Sequence, residues 1–134
     1  MTTLFINGSP NKNGNTVALA QKLLANQEYE TLHLVDYKIY DYGQDFSDDQ
    51  FEEVIQKVFA ADTLFIGSPV YWHSINGLVR KILDRQYDVV TDELVGKKTF
   101  QGSAPTQEVL DMGDYTMSRY AGLYGMDYQG MVNS

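Results

Sequence analysis

Short strand-like runs and helical stripes of apolar residues alternate along the whole chain, and this alternation most constrains its fold. Residues 3–7, 31–35 and 62–67 have the length and apolar content of buried strands. Helical spacing of apolar residues follows them, most clearly over residues 51–59. Because chains that alternate strands with helices form a parallel sheet covered on both faces, the sequence predicts a doubly wound α/β domain.

The remaining elements complete a five-stranded pattern in one domain spanning residues 1–134. Helices are predicted over residues 15–26, over residues 51–59 with Ser47 as the N-cap, and over residues 75–83. A last helix is marked by an apolar stripe: Val109, Met112, Thr116, Tyr120 and Leu123. A very short fourth strand is predicted at 98–101 and a fifth at 126–132. With no helix after the fifth strand, we expect one face of that edge strand to be bare unless a partner covers it.

Charge and composition exclude several functions. The chain has ten Lys and Arg residues and 18 Asp and Glu residues, which give a net charge of −8. A charge of this sign and size repels nucleic acid and anionic lipid. The chain has no cysteine, which excludes disulfides, thiolate metal sites and thiol catalysis, and its two histidines cannot form a histidine-rich metal centre. The first residues enter a strand pattern at once, and no apolar run approaches ~18 residues, so we expect neither a signal peptide nor a membrane span. We expect a cytoplasmic protein that binds neither nucleic acid nor membranes.

The turn after the first strand has the composition of a phosphate-binding loop. It reads Gly-Ser-Pro-Asn-Lys-Asn-Gly-Asn-Thr over residues 8–16 and leads into a helix. Backbone N–H groups and hydroxyls at a helix N-terminus bind phosphate without a cationic side chain. The Walker A pattern fails because Asn15 stands where its lysine belongs, and the G-x-G-x-x-G pattern is absent. The alternative is an ordinary loop in which an Asn or Thr caps the helix.

A second Gly-Ser-Pro turn, after the third strand, is followed by adjacent aromatic residues. Residues 67–77 read Gly-Ser-Pro-Val-Tyr-Trp-His-Ser-Ile-Asn-Gly. Aromatic and proline side chains cover the faces of flat conjugated ligands, and ligands bind parallel sheets at the carboxyl ends of the strands, where both turns are predicted. The alternatives are that Trp72 fills a gap between loop and helix and that His73 lies in solvent. His33, within a strand, is predicted to be structural.

The two loops together resemble those of the NADPH-dependent FMN reductase family of flavodoxin-like proteins. The likeness continues through residues 77–85, 94–98 and 125–130, so it covers nearly the whole chain. It implies a flavodoxin-like parallel sheet of five strands in the order 2-1-3-4-5.

The resemblance also implies a cofactor site for FMN, with NAD(P)H as the reductant. The positions that match the family's phosphate contacts are Ser9, Asn13, Asn15 and Thr16. Those along the isoalloxazine are Pro69, Val70, Tyr71 and Trp72, with Gly102 and Ser103 on its other side. The chain departs from the family pattern after residue 98, where the fourth strand is shorter and the glycine-rich loop is missing. We therefore expect the second wall of the flavin site to be small.

Three functions are open. The favoured one is an oxidoreductase in which NAD(P)H reduces bound FMN and the flavin reduces a small acceptor, such as a quinone or another flavin. Because hydride transfer through a flavin needs no side-chain acid or base, the lack of a convincing catalytic dyad fits this function. The second is a flavodoxin-type electron carrier whose acidic surface meets basic partners. The third is a flavin-binding module without activity.

The bare edge strand, the missing final helix and the tyrosine content predict a homodimer or higher homo-oligomer. The chain has ten tyrosines, and aromatic residues are enriched in interfaces. The candidate surface is the segment 115–128, which carries four of them. Its alternative is a helix and strand packed inside their own subunit.

Overall fold

The computed structural model describes residues 2–71, 74–87, 89, 93–103 and 107–133. Its helices are α1 (Asn15–Leu23), α2 (Phe51–Ala60), α3 (Gly77–Arg85) and α4 (Gln107–Leu123). Its strands are β1 (Thr3–Asn7), β2 (Glu30–His33), β3 (Thr63–Gly67), β4 (Val70–Tyr71), β5 (Ser74–Ile75), β6 (Lys98–Ser103) and β7 (Asp127–Asn133).

Five strands form a parallel sheet in the order β2-β1-β3-β6-β7. This is the order 2-1-3-4-5 implied by the family resemblance, so the predicted fold class is confirmed. β4 and β5 form a separate antiparallel hairpin in the loop after β3. Alternate side chains of the central strands enter opposite layers. Leu4 and Ile6 join the core beneath α2, α3 and α4, whereas Phe5 packs with Ala20 and Leu24 of α1 and the adjoining turn.

The fourth strand of the sheet is longer than the sequence predicts. β6 runs for six residues to Ser103 and pairs with β3 on one side and β7 on the other. The expectation of a short strand ending at Gln101 was wrong. Gly102 and Ser103 carry little strand propensity, but neighbours on both sides supply backbone partners that the sequence pattern does not reveal.

The predicted N-cap of α2 was also wrong. Gln50, not Ser47, precedes the first helical residue, Phe51. The backbone N–H of Gln50 donates to the Lys38 carbonyl at 2.7 Å, and its side-chain Oε1 accepts from the Lys38 amide at 2.8 Å. This reciprocal pair joins the start of α2 to the segment after β2, and so the helix begins three residues later than a Ser47 cap would require.

The buried face of α4 differs from the predicted stripe. Met117 and Ala121 are fully buried, and Gly113 also faces the interior. Met112 and Leu123, which the stripe placed in the core, are 51% and 70% exposed. Small residues on the inner face bring the helix close to the sheet, and a search for large apolar side chains overlooks them.

A half-buried ion pair ties the acidic segment of residues 37–50 to α3. Arg85 donates to both carboxylate oxygens of Asp49, with Nη1–Oδ1 at 3.0 Å and Nη2–Oδ2 at 2.5 Å, and each side chain is 16% exposed. Arg85 Nη1 also donates to the Tyr40 carbonyl at 2.9 Å, and the guanidinium lies 4.5 Å from the centre of the Phe51 ring. The hydrogen bonds from Arg85 lower the pKa of Asp49 below its ordinary value.

Asp49→Asn should lower the free energy of unfolding by about 2 kcal/mol at pH 7, because it leaves a buried guanidinium without its charged partner. A carboxylate whose pKa is lowered by folding contributes stability above its unfolded value of ~3.9 and loses it as the pH falls through the folded value. The difference between wild type and variant should therefore shrink below about pH 4. Urea unfolding at several pH values measures it.

Asp48→Asn is the matched control, because Asp48 makes an exposed ion pair with Lys38 in the same segment. Its effect should be much smaller than that of Asp49→Asn. Equal losses of stability for the two variants would contradict the role given to Asp49.

Candidate functional site

The predicted loops meet at one edge of the sheet. β1 and β3 pair in register with Asn7 opposite Gly67, and β3 pairs with β6 with Gly67 opposite Gly102. The Gly8 amide then donates to the Gly67 carbonyl at 2.8 Å. The first loop therefore follows β1, the aromatic loop follows β3, and β6 ends next to β3. All three lie at the carboxyl edge of the sheet, where parallel sheets bind ligands.

Asn76 joins both loops to α3. It is the N-cap of that helix and is 2% exposed, and its Oδ1 accepts from the Val79 amide at 3.2 Å. Its Nδ2 donates to the Gly8 carbonyl in the first loop. Its backbone N–H donates to the hydroxyl of Ser68, in the second loop, at 2.9 Å. One buried residue thus fixes the relative position of the two Gly-Ser-Pro turns.

The glycines of these two turns are required by close packing. A Cβ on Gly8 would overlap the Val79 side chain and lie 2.8 Å from the Gly67 carbonyl oxygen. A Cβ on Gly67 would lie 2.6 Å from Cγ2 of Thr16 and 2.7 Å from the Phe5 ring. Any larger residue would therefore push the turns and α1 apart.

The first loop is shaped by hydrogen bonds from side chains to its own backbone. Asn7 is fully buried, and its Oδ1 accepts from the Ser9 amide at 3.0 Å. Ser9 Oγ in turn accepts from the Asn11 amide, and Asn11 Oδ1 from the Asn13 amide. Such turns organise the loop without a ligand.

His33 supports this loop from β2. Since Asn7 Oδ1 faces the Ser9 amide, its Nδ2 is directed at Nδ1 of His33, 3.0 Å away, and donates to it. The neutral ring then carries its proton on Nε2. This contact agrees with the structural role predicted for His33.

The N-terminus of α1 is open to a ligand. Gly14 is the N-cap, and no side chain of the described residues accepts from the first-turn amides there, so an Asn or Thr cap was the wrong alternative. The first turn carries no acidic residue, and the positive end of the helix dipole is therefore not neutralised. Free amides beside the glycine turns suit a phosphate group, and so the residues fit the monoester phosphate of FMN.

The other predicted contacts lie around this helix end to different degrees. Ser9 is buried, Thr16 is half-buried, and Asn13 and Asn15 are exposed. Pro69 is half-buried and Tyr71 is 50% exposed on the β4–β5 hairpin, where Val70 pairs with Ile75. Gly102 and Ser103 end β6 beside β7. Trp72 and His73 lie outside the described residues.

A groove of about 580 Å³ opens between the two loops, with Pro10 of the first loop and Tyr71 of the second among its lining residues. A cavity of about 710 Å³ lies at the opposite edge of the sheet, near Thr3, Tyr29 and Ala60. That cavity touches neither Gly-Ser-Pro turn, whereas the groove is lined by Pro10 and Tyr71 of the two loops, so of these two the groove is the one that adjoins the candidate site.

Sequence reasoning missed Asn7 and Asn76, which hold the site together. Asn7 had a signal, because it is the polar residue that closes an apolar strand. Asn76 was obscured because the apolar stripe that begins at Ile75 predicted a helix over residues 75–83, two residues earlier than α3 begins. Among the described residues, no group of three or more metal-ligating side chains comes together. None of the helices in the described ranges is both long and apolar enough to cross a bilayer.

Comparison with known proteins agrees with this site. Residues 1–112, which include both loops, β3 and α3, match the family model for NADPH-dependent FMN reductase. The chain belongs to this family. Membership confirms the resemblance carried by the two Gly-Ser-Pro loops.

Two relatives of this FMN reductase family member are similar in sequence. An iron–sulfur flavoprotein of Archaeoglobus fulgidus is 34% identical over 98 residues, which cover 63% of this chain and 48% of the relative. YwqN of Bacillus subtilis, a candidate NAD(P)H-dependent FMN-containing oxidoreductase, is 25% identical over 69% of this chain and 55% of its own length. The chain thus spans about half the length of these relatives. Having no cysteine, it lacks the thiolates that hold iron–sulfur clusters.

A solved structure shares the fold. RosB, crystallised with 8-demethyl-8-formylriboflavin-5'-phosphate, superposes with a TM-score of 0.81 at 15% identity, over 100% of this chain and 64% of RosB. At that identity the likeness establishes the architecture alone.

Asn15→Asp should raise the dissociation constant for FMN at least tenfold, since it puts a carboxylate at the helix end beside the phosphate dianion. Asn15→Ala should cost only about 1 kcal/mol, the value of one neutral hydrogen bond. Riboflavin, which has no phosphate, should bind both variants as it binds wild type. Quenching of flavin fluorescence on titration measures all three affinities.

Asn26→Asp is the control, because it makes the same change at an exposed position beyond the other end of α1. It should leave FMN binding unchanged. If wild type binds riboflavin as tightly as FMN, or if both Asn15 variants bind FMN like wild type, the phosphate site is not at this helix end.

Proposed function

We propose that this chain is an FMN-dependent NAD(P)H oxidoreductase that passes a hydride from the nicotinamide through bound FMN to a small acceptor, such as a quinone or another flavin. The observation that carries the proposal is the uncapped N-terminus of α1 at the end of the first loop, whose Gly8 is joined through Asn76 to Ser68, just before the β4–β5 hairpin. This arrangement suits a phosphate group and a planar ring at the carboxyl edge of the sheet, where parallel sheets bind ligands. Family membership and the description of YwqN support the same activity.

The proposed FMN site uses the residues that match the family pattern. Ser9, Asn13, Asn15 and Thr16 surround the phosphate, with the first-turn amides of α1 as the main donors. Pro69, Val70, Tyr71 and Trp72 lie along one side of the isoalloxazine, and Gly102 and Ser103 lie on the other. FMN, when bound, supplies the two-electron chemistry, so the chain's task is to hold the ring and leave one face open.

The charge distribution favours an enzyme over an electron carrier. A carrier that meets basic partners needs acidic side chains free for docking. Of the seven acids between residues 36 and 53, four make ion pairs within the chain. These four are Asp36 with Lys12, Asp41 with Lys81, Asp48 with Lys38 and Asp49 with Arg85. Four of the seven negative charges are thus balanced by cations of the same chain, which weakens the attraction of this segment for a basic partner.

The groove between the loops supports the same choice. It opens at Tyr71, beside the proposed isoalloxazine position, and so leaves room for a nicotinamide and then an acceptor. A carrier would cover the ring. The β6 strand, which reaches Ser103 and lies in register with β3, also weakens the case for a degenerate module with an incomplete site.

We propose further that the protein is a homodimer. Inside the candidate segment 115–128, Tyr120 and Tyr124 donate to Gln86 of their own subunit, so the number of tyrosines does not support an interface. The support is the outward face of α4, where Met112, Tyr115 and Leu123 are exposed on one side. Light scattering should give twice the chain mass of 15.2 kDa.

A cytoplasmic location and the absence of nucleic-acid partners stay predictions from charge and cysteine content.

Anaerobic mixing of the FMN-loaded protein with NADH or NADPH should bleach the flavin absorbance in one step, because hydride transfer delivers two electrons together. Tyr71→Ala should slow this bleaching at least fivefold, since Tyr71 forms part of the ring site. Tyr87→Ala, a matched exposed tyrosine outside the groove lining, should stay within about twofold of wild type. Stopped-flow absorbance measures the rates. No bleaching by either nicotinamide, with one-electron-reduced flavin accumulating on dithionite titration, would favour the carrier.

A further inference from the structure

His33 ends β2 and reaches the first loop through the side chain of Asn7. The two residues are paired across the neighbouring strands, and His33 is half-buried. Asn7 is fully buried, and its Nδ2 lies 3.0 Å from Nδ1 of His33 and 3.5 Å from the Asn11 carbonyl oxygen. Its Oδ1 accepts from the Ser9 amide at 3.0 Å. Because a backbone amide can only donate, this last contact fixes which end of the Asn7 side chain faces the histidine.

The contact requires the neutral form of His33. Since Asn7 presents an N–H group, Nδ1 of His33 must offer a lone pair, which the neutral tautomer protonated on Nε2 does. A second proton on the ring would set two donors against each other. Turning the Asn7 amide over would only move this conflict, because its NH₂ group would then face the Ser9 amide. Protonation of His33 therefore breaks one of the hydrogen bonds of a buried side chain.

Asn7 is the first member of a series of contacts that ends at α1. Ser9 Oγ accepts from the Asn11 amide at 3.0 Å, and Asn11 Oδ1 accepts from the Asn13 amide at 2.9 Å. The Asn11 side chain also packs against Gly14, the N-cap of α1, since a Cβ on Gly14 would lie 2.9 Å from Asn11 Nδ2. Each side chain holds the next part of the loop backbone, so a shift of Asn7 is passed on to the helix end proposed to bind the phosphate.

The charged side chains on the segments around His33 lie in three places. The first loop carries Lys12 and the segment after β2 carries Asp36, and these two pair with each other at 2.6 Å, so their charges cancel. α1 has Lys22 in its last turn, at the end away from the first loop. Glu30 of β2 lies on the opposite face of the sheet from His33, because side chains alternate along a strand. The hydrogen bond with Asn7 is therefore the contact that we expect protonation to disturb.

We infer that His33 is a positioning residue for the phosphate of FMN, and that it holds the first loop in place only while its ring is neutral. The inference rests on the proposed function, because it concerns the same phosphate site. Histidine side chains take up a proton between about pH 8 and pH 5. The affinity for FMN should therefore be highest at the upper end of this range and fall as the pH is lowered.

The test compares wild type with His33→Asn and His33→Leu. Asn places an oxygen acceptor the same number of bonds from the backbone as Nδ1 and does not titrate, whereas Leu offers no acceptor. Because the phosphate of FMN itself gains a proton near about pH 6, His33→Asn is also the reference for the ligand's own titration. Dissociation constants of FMN and riboflavin from the cofactor-free proteins are measured by fluorescence titration at about pH 7.5 and about pH 5.5.

At the higher pH, His33→Asn should bind FMN within about twofold of wild type, and His33→Leu about fivefold more weakly, as expected for one lost hydrogen bond. On acidification, wild type should lose about fivefold more FMN affinity than His33→Asn loses. Riboflavin should bind all three proteins alike at both pH values, because it has no phosphate. If His33→Leu does not fold, the comparison of wild type with His33→Asn decides alone.

NMR of the cofactor-free protein measures the coupling without a flavin. The ring signals lost in His33→Asn are those of His33, and at the higher pH they should identify Nδ1 as the unprotonated nitrogen. As the pH falls, the amide signals of Ser9 and Asn11 should shift together with these ring signals, and in His33→Asn they should stay in place. A merely structural histidine would change the melting temperature of the variants without this shared pH dependence.

Two failures can be told apart. If FMN binds no more tightly than riboflavin, the phosphate site fails and the proposed function with it, while the amide signals still decide whether His33 holds the loop. If FMN binds more tightly but wild type and His33→Asn share one pH profile, or if Nδ1 carries the proton at the higher pH, the role given to His33 is overturned.

Discussion

The buried amide of Asn76 is the interaction on which the site depends. It donates to Gly8 in one loop, accepts from the first turn of α3, and its backbone amide bonds Ser68 in the other loop. Leaving such a buried group unpaired costs on the order of 1–3 kcal/mol, so the hydrogen bonds of Asn76 are complete only when both loops are in place. The site geometry is therefore part of the folded state. Gly8 and Gly67 permit it, because a Cβ on Gly8 would lie too close to the Gly67 carbonyl and Val79, and a Cβ on Gly67 too close to Thr16 and Phe5.

This constraint explains how an acidic protein can bind a phosphate. The loop uses neutral donors at the end of α1, and its one lysine, Lys12, is paired at 2.6 Å with Asp36. Binding then depends on the direction of amide groups instead of net charge. The two cations that line the groove are also paired with acids, Arg80 with Asp84 and Lys81 with Asp41.

Strand and helix periodicities predicted the alternating α/β architecture, and the Gly-Ser-Pro turns marked both loops, because these are local signals. The strand order came from the family resemblance. The failures were tertiary. The end of β6 at Ser103 depends on neighbouring strands, and the start of α2 at Gln50 depends on its contact with Lys38. The inner face of α4 depends on small residues such as Ala121. Asn76 fell inside the helix predicted over residues 75–83, and its capping role depends on partners in three different segments, Gly8, Ser68 and Val79.

Amide hydrogen exchange of Gly8 in the cofactor-free protein shows whether Asn76 or the ligand assembles the site, because the Gly8 N–H donates to the Gly67 carbonyl only when the two loops are in place. This amide should exchange as slowly as that of Phe5, within β1, before any FMN is added, and Asn76→Ala should remove the protection. Exchange at the rate of an exposed loop until FMN binds would show that the ligand, and not Asn76, assembles the site.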